Sequence, residues 1–474
     1  MQEQRTNYLL FPEINHWWTS GSVRPEFIEK IERTLFPELV KALNERQILL
    51  IEGPRRVGKT SLIYQLIHFL IKNQTPAKHI FYLTLDDPLL EKASLFEDII
   101  EYTEKYLLGK PLSELRSPIY LFLDEITKFP DWELYLKRYY DLKYPLKFIT
   151  SSSSAAFLQK KVKESLVGRV MTFPVTPFTF GEVLKLHSSP PEIIDVYADL
   201  RGIWLSTFAS GDWNRLYKKL TEMNKEINLH QKKISTSLHN YLLQGGFPEY
   251  LQMKDERSRR QYFWENIAER VIFYDIPEIF KVNDLTLLQK LLLNAIENSG
   301  RQLNFHDLAN SFQAPRQKIS NYLHYLKASH LVYLLEKYAK TATSRMRAYK
   351  KIYTEDPGLF VNIQRLDVEK IESHGLWGIL AELAVFLHLK NYSERSRLYY
   401  YRERNKEVDF VLESPQQLLP IEVKYRREIN RKKGLSGVLT FRTQFKTKHA
   451  LVVSRNLLHL DDNILFVPLY LFLS

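Results

Sequence analysis

Residues 53–60 read Gly53-Pro54-Arg55-Arg56-Val57-Gly58-Lys59-Thr60, a complete G-x-x-x-x-G-K-[ST] loop. The apolar run Ile48-Leu49-Leu50-Ile51 precedes it, and the helical pattern Ser61-Leu62-Ile63-Tyr64-Gln65-Leu66-Ile67 follows. Strand, glycine loop and helix thus stand in the order that a phosphate cradle requires. Gly53 and Gly58 let the backbone wrap closely, so that its N–H groups point at phosphate oxygens. The helix N-terminus adds partial positive charge there. Lys59 is expected to reach the β- and γ-phosphates, and Thr60 to place its hydroxyl on Mg2+. Gly53 through Ser61 form the expected contact set for ATP and Mg2+.

A second stretch belongs with the first. Ile119-Tyr120-Leu121-Phe122-Leu123-Asp124-Glu125 is an apolar strand ending in two acids, the Walker B pattern. Asp124 supplies the hard oxygen that Mg2+ wants after Thr60, and Glu125 can orient and deprotonate the attacking water. Phe148-Ile149-Thr150-Ser151-Ser152-Ser153-Ser154 is a further strand ending in hydroxyls. A hydroxyl there, with Ser152 as the candidate, can bond the γ-phosphate or the water. The same serines also suit a loop that caps a helix.

The chain has 474 residues, room for roughly two to four domains of about 100–200 residues. No apolar stretch approaches the roughly 20 residues needed to span a bilayer, so no membrane partner is expected. The first residues lack the layout of a secretory signal. The absence of cysteine excludes disulfides and thiolate metal sites and fits a reducing compartment; a cytoplasmic location is the expectation. The net charge of +12 favours polyanions, nucleic acid first, although an excess of charge also aids solubility.

Short apolar runs at Ile48–Ile51, His79–Leu85, Ile119–Leu123 and Leu146–Thr150 alternate with helical patterns, the layout of a parallel sheet with crossover helices. The expected organisation is an N-terminal arm (1–44), an α/β P-loop core (45–180), a helical lid (181–283), a third unit (284–365) and a fourth (366–474). In the third unit, Asn304–Phe312 is a short amphipathic helix, and Arg316 to Leu326 a second with Ile319, Tyr322, Leu323 and Leu326 on one face. His330–Leu335 reads as a strand. This order resembles a winged helix, whose second helix can enter the DNA major groove. Arg316, Gln317, Lys318 and Asn321 are its exposed candidates. Lys337, Lys340, Arg345, Arg347, Lys350 and Lys351 make a basic wing able to neutralise phosphates. Such a module can equally pack between domains without touching DNA.

In the fourth unit, Lys406–Leu412 alternates as a strand and a turn leads to Leu419-Pro420-Ile421-Glu422-Val423-Lys424-Tyr425. The two-residue period puts Glu422 and Lys424 on one side, and Asp409 can join them from the previous strand. Glu382 lies in the otherwise apolar helix Gly378–Phe386, where an acid wants a partner or a metal. These residues resemble the acid–Asp–Glu-x-Lys core of restriction-type nucleases. The resemblance implies Asp409, Glu422 and Glu382 as Mg2+ ligands, and Lys424 activating water or stabilising phosphorane charge. The same residues can persist as a polar network in a domain that only binds DNA. Arg426, Arg427, Arg431, Lys432 and Lys433 can line a DNA path or form a solvated basic face.

Taken together, the chain resembles the AAA-superfamily ATPases of bacteria and archaea that carry a restriction-endonuclease-like C-terminal domain. The stretches that carry the resemblance are 53–60, Leu-Phe-Leu-Asp-Glu-Ile (121–126), Ile-Thr-Ser-Ser-Ser (149–153), Leu-Val-Gly-Arg (166–169), Pro-Phe-Thr-Phe-Gly-Glu (177–182) and Gly-Gly-Phe-Pro-Glu (245–249). The family's sensor segment usually reads Thr-Gly-Ser; here Ser151 replaces the glycine. Arg169 sits where such ATPases keep an arginine for the γ-phosphate, in its own subunit or in a neighbour's, the latter implying a homo-oligomer such as a ring; it can also pair with an acid as a structural residue. The function implied is an ATP-hydrolysing, DNA-associated motor or remodeller that grips DNA, branched structures included, through its winged-helix and nuclease-like units. The alternatives are a nucleotide-dependent signalling switch whose C-terminal half binds protein, and a protein-remodelling ATPase.

Overall fold

A strand buried on both faces has to be continuously apolar, and β1 (Ile48–Glu52) is so up to its last residue: Leu49 and Ile51 have no exposed surface, and only Glu52 is partly exposed. Each such side chain contributes about 1.5–3 kcal/mol on burial, before the cost of ordering the chain. The computed structural model describes residues 6–28, 31–153, 165–187, 189–391, 396–426, 429 and 434–474. Ser154, Arg427, Arg431, Lys432 and Lys433 lie outside them, as does the side chain of Arg347. The chain divides into two compact units, Met1–Val175 and Thr176–Ser474.

In the first unit β1 is joined by β2 (Ile80–Thr84), β3 (Ile119–Asp124), β4 (Leu146–Ser152) and β5 (Val170–Pro174). All pair in parallel, in the order β2-β3-β4-β1-β5. This is an α/β fold with a five-stranded parallel sheet compatible with a P-loop core. Four strands match the sequence expectation closely. The fifth was not anticipated, because only Phe173 of β5 is buried and Pro174 ends it. Both features suit an edge strand.

The strand order decides the site. β4 lies between β1 and β3, so the phosphate loop and the Walker B acids flank the end of β4. The opposite edge, β2, is closed by the N-terminal arm. Asn15 pairs with both main-chain groups of Tyr82, donating from Nδ2 to its carbonyl at 3.0 Å and accepting its N–H at 2.6 Å. The indoles of Trp17 and Trp18 both donate to the Ile80 carbonyl, at 3.0 and 2.8 Å. An edge otherwise open to strand addition is thereby satisfied by side chains.

The second unit begins with helices, chiefly Pro191–Ser210, Trp213–Asn228 and Gln231–Gln244. Two stretches that carried the family resemblance have local physical reasons here. In Pro-Phe-Thr-Phe-Gly-Glu, Thr179 and Glu182 form a reciprocal capping box on the helix Phe180–Leu186. In Gly-Gly-Phe-Pro-Glu, Gly245 takes a φ of 71°, and the Gly246 N–H donates to Asp356 at 2.8 Å. Asp356 is fully buried and also caps the helix Pro357–Ile363 through the amides of Gly358 and Leu359.

Next come the helix Leu285–Glu297, β6 (Gln302–Leu303), the helices Phe305–Ser311 and Arg316–Ala328, β7 (Val332–Leu335) and β8 (Lys350–Thr354). Their antiparallel sheet has the order β6-β8-β7. Between β7 and β8 the basic wing carries a short helix, Ala342–Arg347. There the chain also bonds to the next sheet, with the Tyr338 N–H on the Tyr400 carbonyl and the Tyr400 N–H on the Glu336 carbonyl.

That sheet holds β9 (Arg397–Glu403), β10 (Lys406–Glu413), β11 (Leu418–Lys424), β12 (Ala450–Ser454), β13 (His459–Asp461) and β14 (Ile464–Pro468), in the order β13-β14-β12-β11-β10-β9. It is mixed: β11, β12 and β14 run parallel, the other pairs antiparallel. The β9–β10 register slips between Val408 and Val411, so Asp409 sits at a bulge, a device that re-aims side chains.

Candidate functional site

Gly58 caps the helix Lys59–Lys72 at a φ of 92°, and Arg56 is exposed in a left-handed conformation at 63°. A Cβ on Gly53 would run into the Val175 carbonyl, so the loop there admits no side chain. Lys59 is buried, its ammonium donating to the carbonyls of Gly53 at 3.1 Å and Pro54 at 3.0 Å. The first-turn amides of any helix find no acceptor within it, which makes this end of Lys59–Lys72 the natural seat for an anion. Arg33, which sequence reasoning did not single out, donates to the Val57 carbonyl at 2.8 Å and braces the loop from behind. No motif marks it; only the tertiary fold brings the segment before β1 against the loop.

Thr60 Oγ1 donates to Asp124 Oδ2 at 2.6 Å, and Tyr82 reaches the same oxygen at 3.3 Å. Burial raises the Asp124 carboxyl, against the bonds from Ser151 and Thr60 that favour its anion. Glu125 Oε1 lies 3.8 Å from Lys59 Nζ. The backbone of Glu125 is left-handed, with a φ of 51°, a conformation that costs a non-glycine residue energy and is held by its surroundings.

The serines differ from expectation. Ser151 Oγ donates to Asp124 Oδ1 and accepts the Glu125 N–H at 3.0 Å. Ser153 Oγ donates to Glu125 Oε2 at 3.0 Å. Ser152 Oγ instead lies 3.4 Å from Thr127 Oγ1. A strand alternates its side chains, so Ser151 and Ser153 share the face toward the acids while Ser152 faces the other way. The signal was in the spacing, once β4 was known to stand beside β3.

Arg169 is not at the loop. Its carbonyl accepts from the Ile48 N–H, at the start of β1, whereas the phosphate loop follows the end of β1. At about 3.3 Å per residue the strand separates them by about 16 Å. Arg169 forms a two-pronged pair with Asp141, at 2.8 and 3.1 Å. A contact with the γ-phosphate of its own subunit is therefore ruled out by position.

On the helix Arg316–Ala328, Ile319, Tyr322, Leu323 and Leu326 are buried, as the periodicity requires. Arg316, Gln317 and Asn321 are exposed, with Gln317 bonded to Asn321. Lys318 pairs with Asp284 at 3.3 Å. The basic wing is less free than expected. Lys350 pairs with Glu336 at 3.4 Å, and Arg345 lies 5.6 Å above the Tyr399 ring. Lys351 is not on the wing surface at all: it is 2% exposed. Arg426 is exposed, while Arg427 lies outside the described residues.

Glu382, Asp409, Glu422 and Lys424 do converge. Lys424 pairs with Glu422, Asp409 Oδ2 accepts the Val423 N–H at 2.9 Å, and Tyr353 donates to Glu382 at 2.6 Å. Burial, with Asp409 adding to it, raises the Glu422 carboxyl; burial raises Glu382 as well. Lys351 Nζ stands among them, 3.4 Å from Glu382 and 3.8 Å from Asp409. The expected three-carboxylate Mg2+ site is thus not a bare ligand set. Among the described residues, no group of three or more His, Cys, Asp or Glu is arranged to hold a metal ion.

Comparisons with known proteins agree with the first unit's geometry. An AAA domain model matches residues 45–184, placing a P-loop ATPase-type domain there. Two domains of unknown function, DUF8612 and DUF4143, match residues 235–370 and 377–472. The uncharacterized protein MJ1544 of Methanocaldococcus jannaschii is 25% identical over 81% of this chain and 76% of its own. MJ1637 of the same organism, also uncharacterized, is 24% identical over 90% of this chain and 84% of its own. An uncharacterized Haemophilus influenzae protein is 21% identical, covering 82% and 85%. No helix among the described residues is long and apolar enough to cross a membrane.

Proposed function

We propose that this chain hydrolyses ATP at the end of β1, β3 and β4 and couples the reaction to DNA bound by its second unit. One observation carries the first part: Thr60 and Asp124 share a 2.6 Å hydrogen bond beside a loop whose lysine lies 3.8 Å from Glu125. A hydroxyl and a carboxylate are the hard oxygen donors that suit Mg2+, so Thr60 and Asp124 fit as its protein ligands. When bound, that ion neutralises charge on the β- and γ-phosphates. The loop amides and Lys59 bind and orient the triphosphate. Glu125 accepts the proton of the attacking water at its carboxylate, oriented by Ser153 on Oε2 and by Ser151 through its main chain. Glu125→Gln should abolish hydrolysis while ATP still binds; undiminished turnover removes Glu125 from this role.

The helix, strand and sheet order of residues 285–354 supports reading that region as a winged helix. The mixed sheet with Asp409 on a bulge and Glu422-x-Lys424 on β11 supports a restriction-endonuclease-like reading of 366–474. Exposed Arg316, Gln317 and Asn321, on a helix whose other face is buried, support DNA as the partner, together with the net charge. DNA affinity should fall steeply with salt, and Arg316→Ala should lower the salt slope by about one. A second reading, a nucleotide-dependent switch that contacts protein, is favoured by the engagement of Lys318, Arg345 and Lys350 within the chain itself. Absence of DNA binding at low salt would select it. We also propose that copies associate, with Arg169, held by Asp141 within its own chain, turned to a neighbouring subunit's nucleotide when that pair opens.

A further inference from the structure

The carboxylate cluster of the second unit is built around a lysine from a different sheet. Lys351 belongs to β8, whereas Glu407 and Asp409 belong to β10, Glu422 to β11, and Glu382 to the helix Trp377–Lys390. The Lys351 ammonium contacts Glu407 at 2.5 Å, Glu382 at 3.4 Å and Asp409 at 3.8 Å. It also lies 3.5 Å from the Tyr353 hydroxyl, and the rings of Tyr353 and Tyr400 stand 5.9 and 5.8 Å away. Lys424 holds Glu422, and Arg402 holds Glu407 at 3.4 Å.

Two independent facts disagree with a metal here. The first is charge. Four carboxylates face three cations, one of them almost fully buried at the centre, and a divalent ion among the same oxygens would stand within a few ångströms of that ammonium. The second is that three of the carboxylates already accept donors from the chain itself. Asp409 Oδ2 is taken by the Val423 N–H, Glu382 Oε1 by Tyr353 and Lys351, and Glu422 Oε1 by Lys424; Glu422 Oε2 faces the Asp409 N–H at 3.4 Å. The residues of a nuclease-type metal centre are thus present but do not fit the metal.

We propose that Lys351 is a resident cation standing where a divalent metal would be held, so that this cluster binds no metal and instead ties β8 to the β10–β11 sheet. The lysine satisfies the buried acids that a metal would otherwise neutralise. The inference is independent of the nucleotide site.

Mn2+ titrated into the nucleotide-free full chain, with free ion followed by electron paramagnetic resonance, tests it. The wild-type and Asp409→Asn isotherms should coincide. Lys351→Met, a neutral side chain of similar length, should gain a site at least about tenfold tighter than any in the wild type, and Lys351→Met combined with Asp409→Asn should lose it again. A wild-type Mn2+ site that Asp409→Asn removes overturns the proposal, as does a folded Lys351→Met chain with no gain. Should Lys351→Met fail to fold, the wild-type comparison with Asp409→Asn and Glu422→Gln decides alone: coincident isotherms support the proposal and divergent ones defeat it.

Discussion

Replacing Ser151 with alanine strips two bonds from the acids of the first unit. Asp124 Oδ1 loses its Ser151 donor, while Thr60 and Tyr82 remain on Oδ2. The Glu125 N–H loses its acceptor. A hydrogen bond to a charged group is worth about 1.5–3 kcal/mol, and a neutral one about 0.5–1.5 kcal/mol. The left-handed turn at Glu125 stores about 1–2 kcal/mol, which the freed peptide can relax by rotating the carboxylate off its line. If roughly half of about 3 kcal/mol falls on the hydrolytic step, kcat drops about tenfold. The Ser151 bond also favours the Asp124 anion against burial, so its loss raises that carboxyl further in the metal-free chain, and protons compete with Mg2+ for it up to a higher pH. Phosphate release with saturating Mg-ATP, across pH, reads both effects; nucleotide affinity measured separately keeps binding apart from chemistry. Ser152→Ala, on the other face of β4, should change kcat less than about threefold, since the reaction loses no bond to either acid. A Ser152→Ala defect as large as that of Ser151→Ala, or full turnover in Ser151→Ala, would refute this assignment.

In the second unit, Gly245→Ala forces a left-handed alanine and sets its Cβ on the Asp356 carboxylate, which three amides hold in place. A loss of at least about 3 kcal/mol in unfolding free energy is expected, against about 1–2 kcal/mol for Gly211→Ala, where φ is similar but the space is open; equal losses in chemical denaturation would contradict the close-contact argument. Burial pushes Asp356 up to about 7, so the folded state holds its proton more tightly than the unfolded one and this group's contribution to stability falls as pH rises from about 4 to 7. Burial, aided by Arg201, pushes His388 down to about 3, so its contribution is full above about 6.5 and falls as pH drops. The two slopes oppose each other, each about 1.4 kcal/mol per pH unit. Asp356→Asn should therefore lose stability relative to wild type more steeply as pH falls from about 6.5 to 4, and parallel unfolding curves across that window would count against the Asp356 assignment.

The sequence alone determined the phosphate loop, the acid-tipped strand and four of the five parallel strands, because each is a local pattern. A buried parallel strand must be continuously apolar, and a phosphate cradle must place its glycines, lysine and hydroxyl at set intervals. Tertiary structure decided what depends on which strand lies beside which. Ser151 rather than Ser152 meets the acids because β4 separates β1 from β3. Arg169 faces Asp141 because it immediately precedes β5, at the end of the sheet away from the loop. Lys351, one of a run of basic residues in the chain, is buried among acids because β8 carries it against β10 and the helix bearing Glu382. A charge read along one strand cannot reveal the partners that another strand, far away in sequence, brings to it.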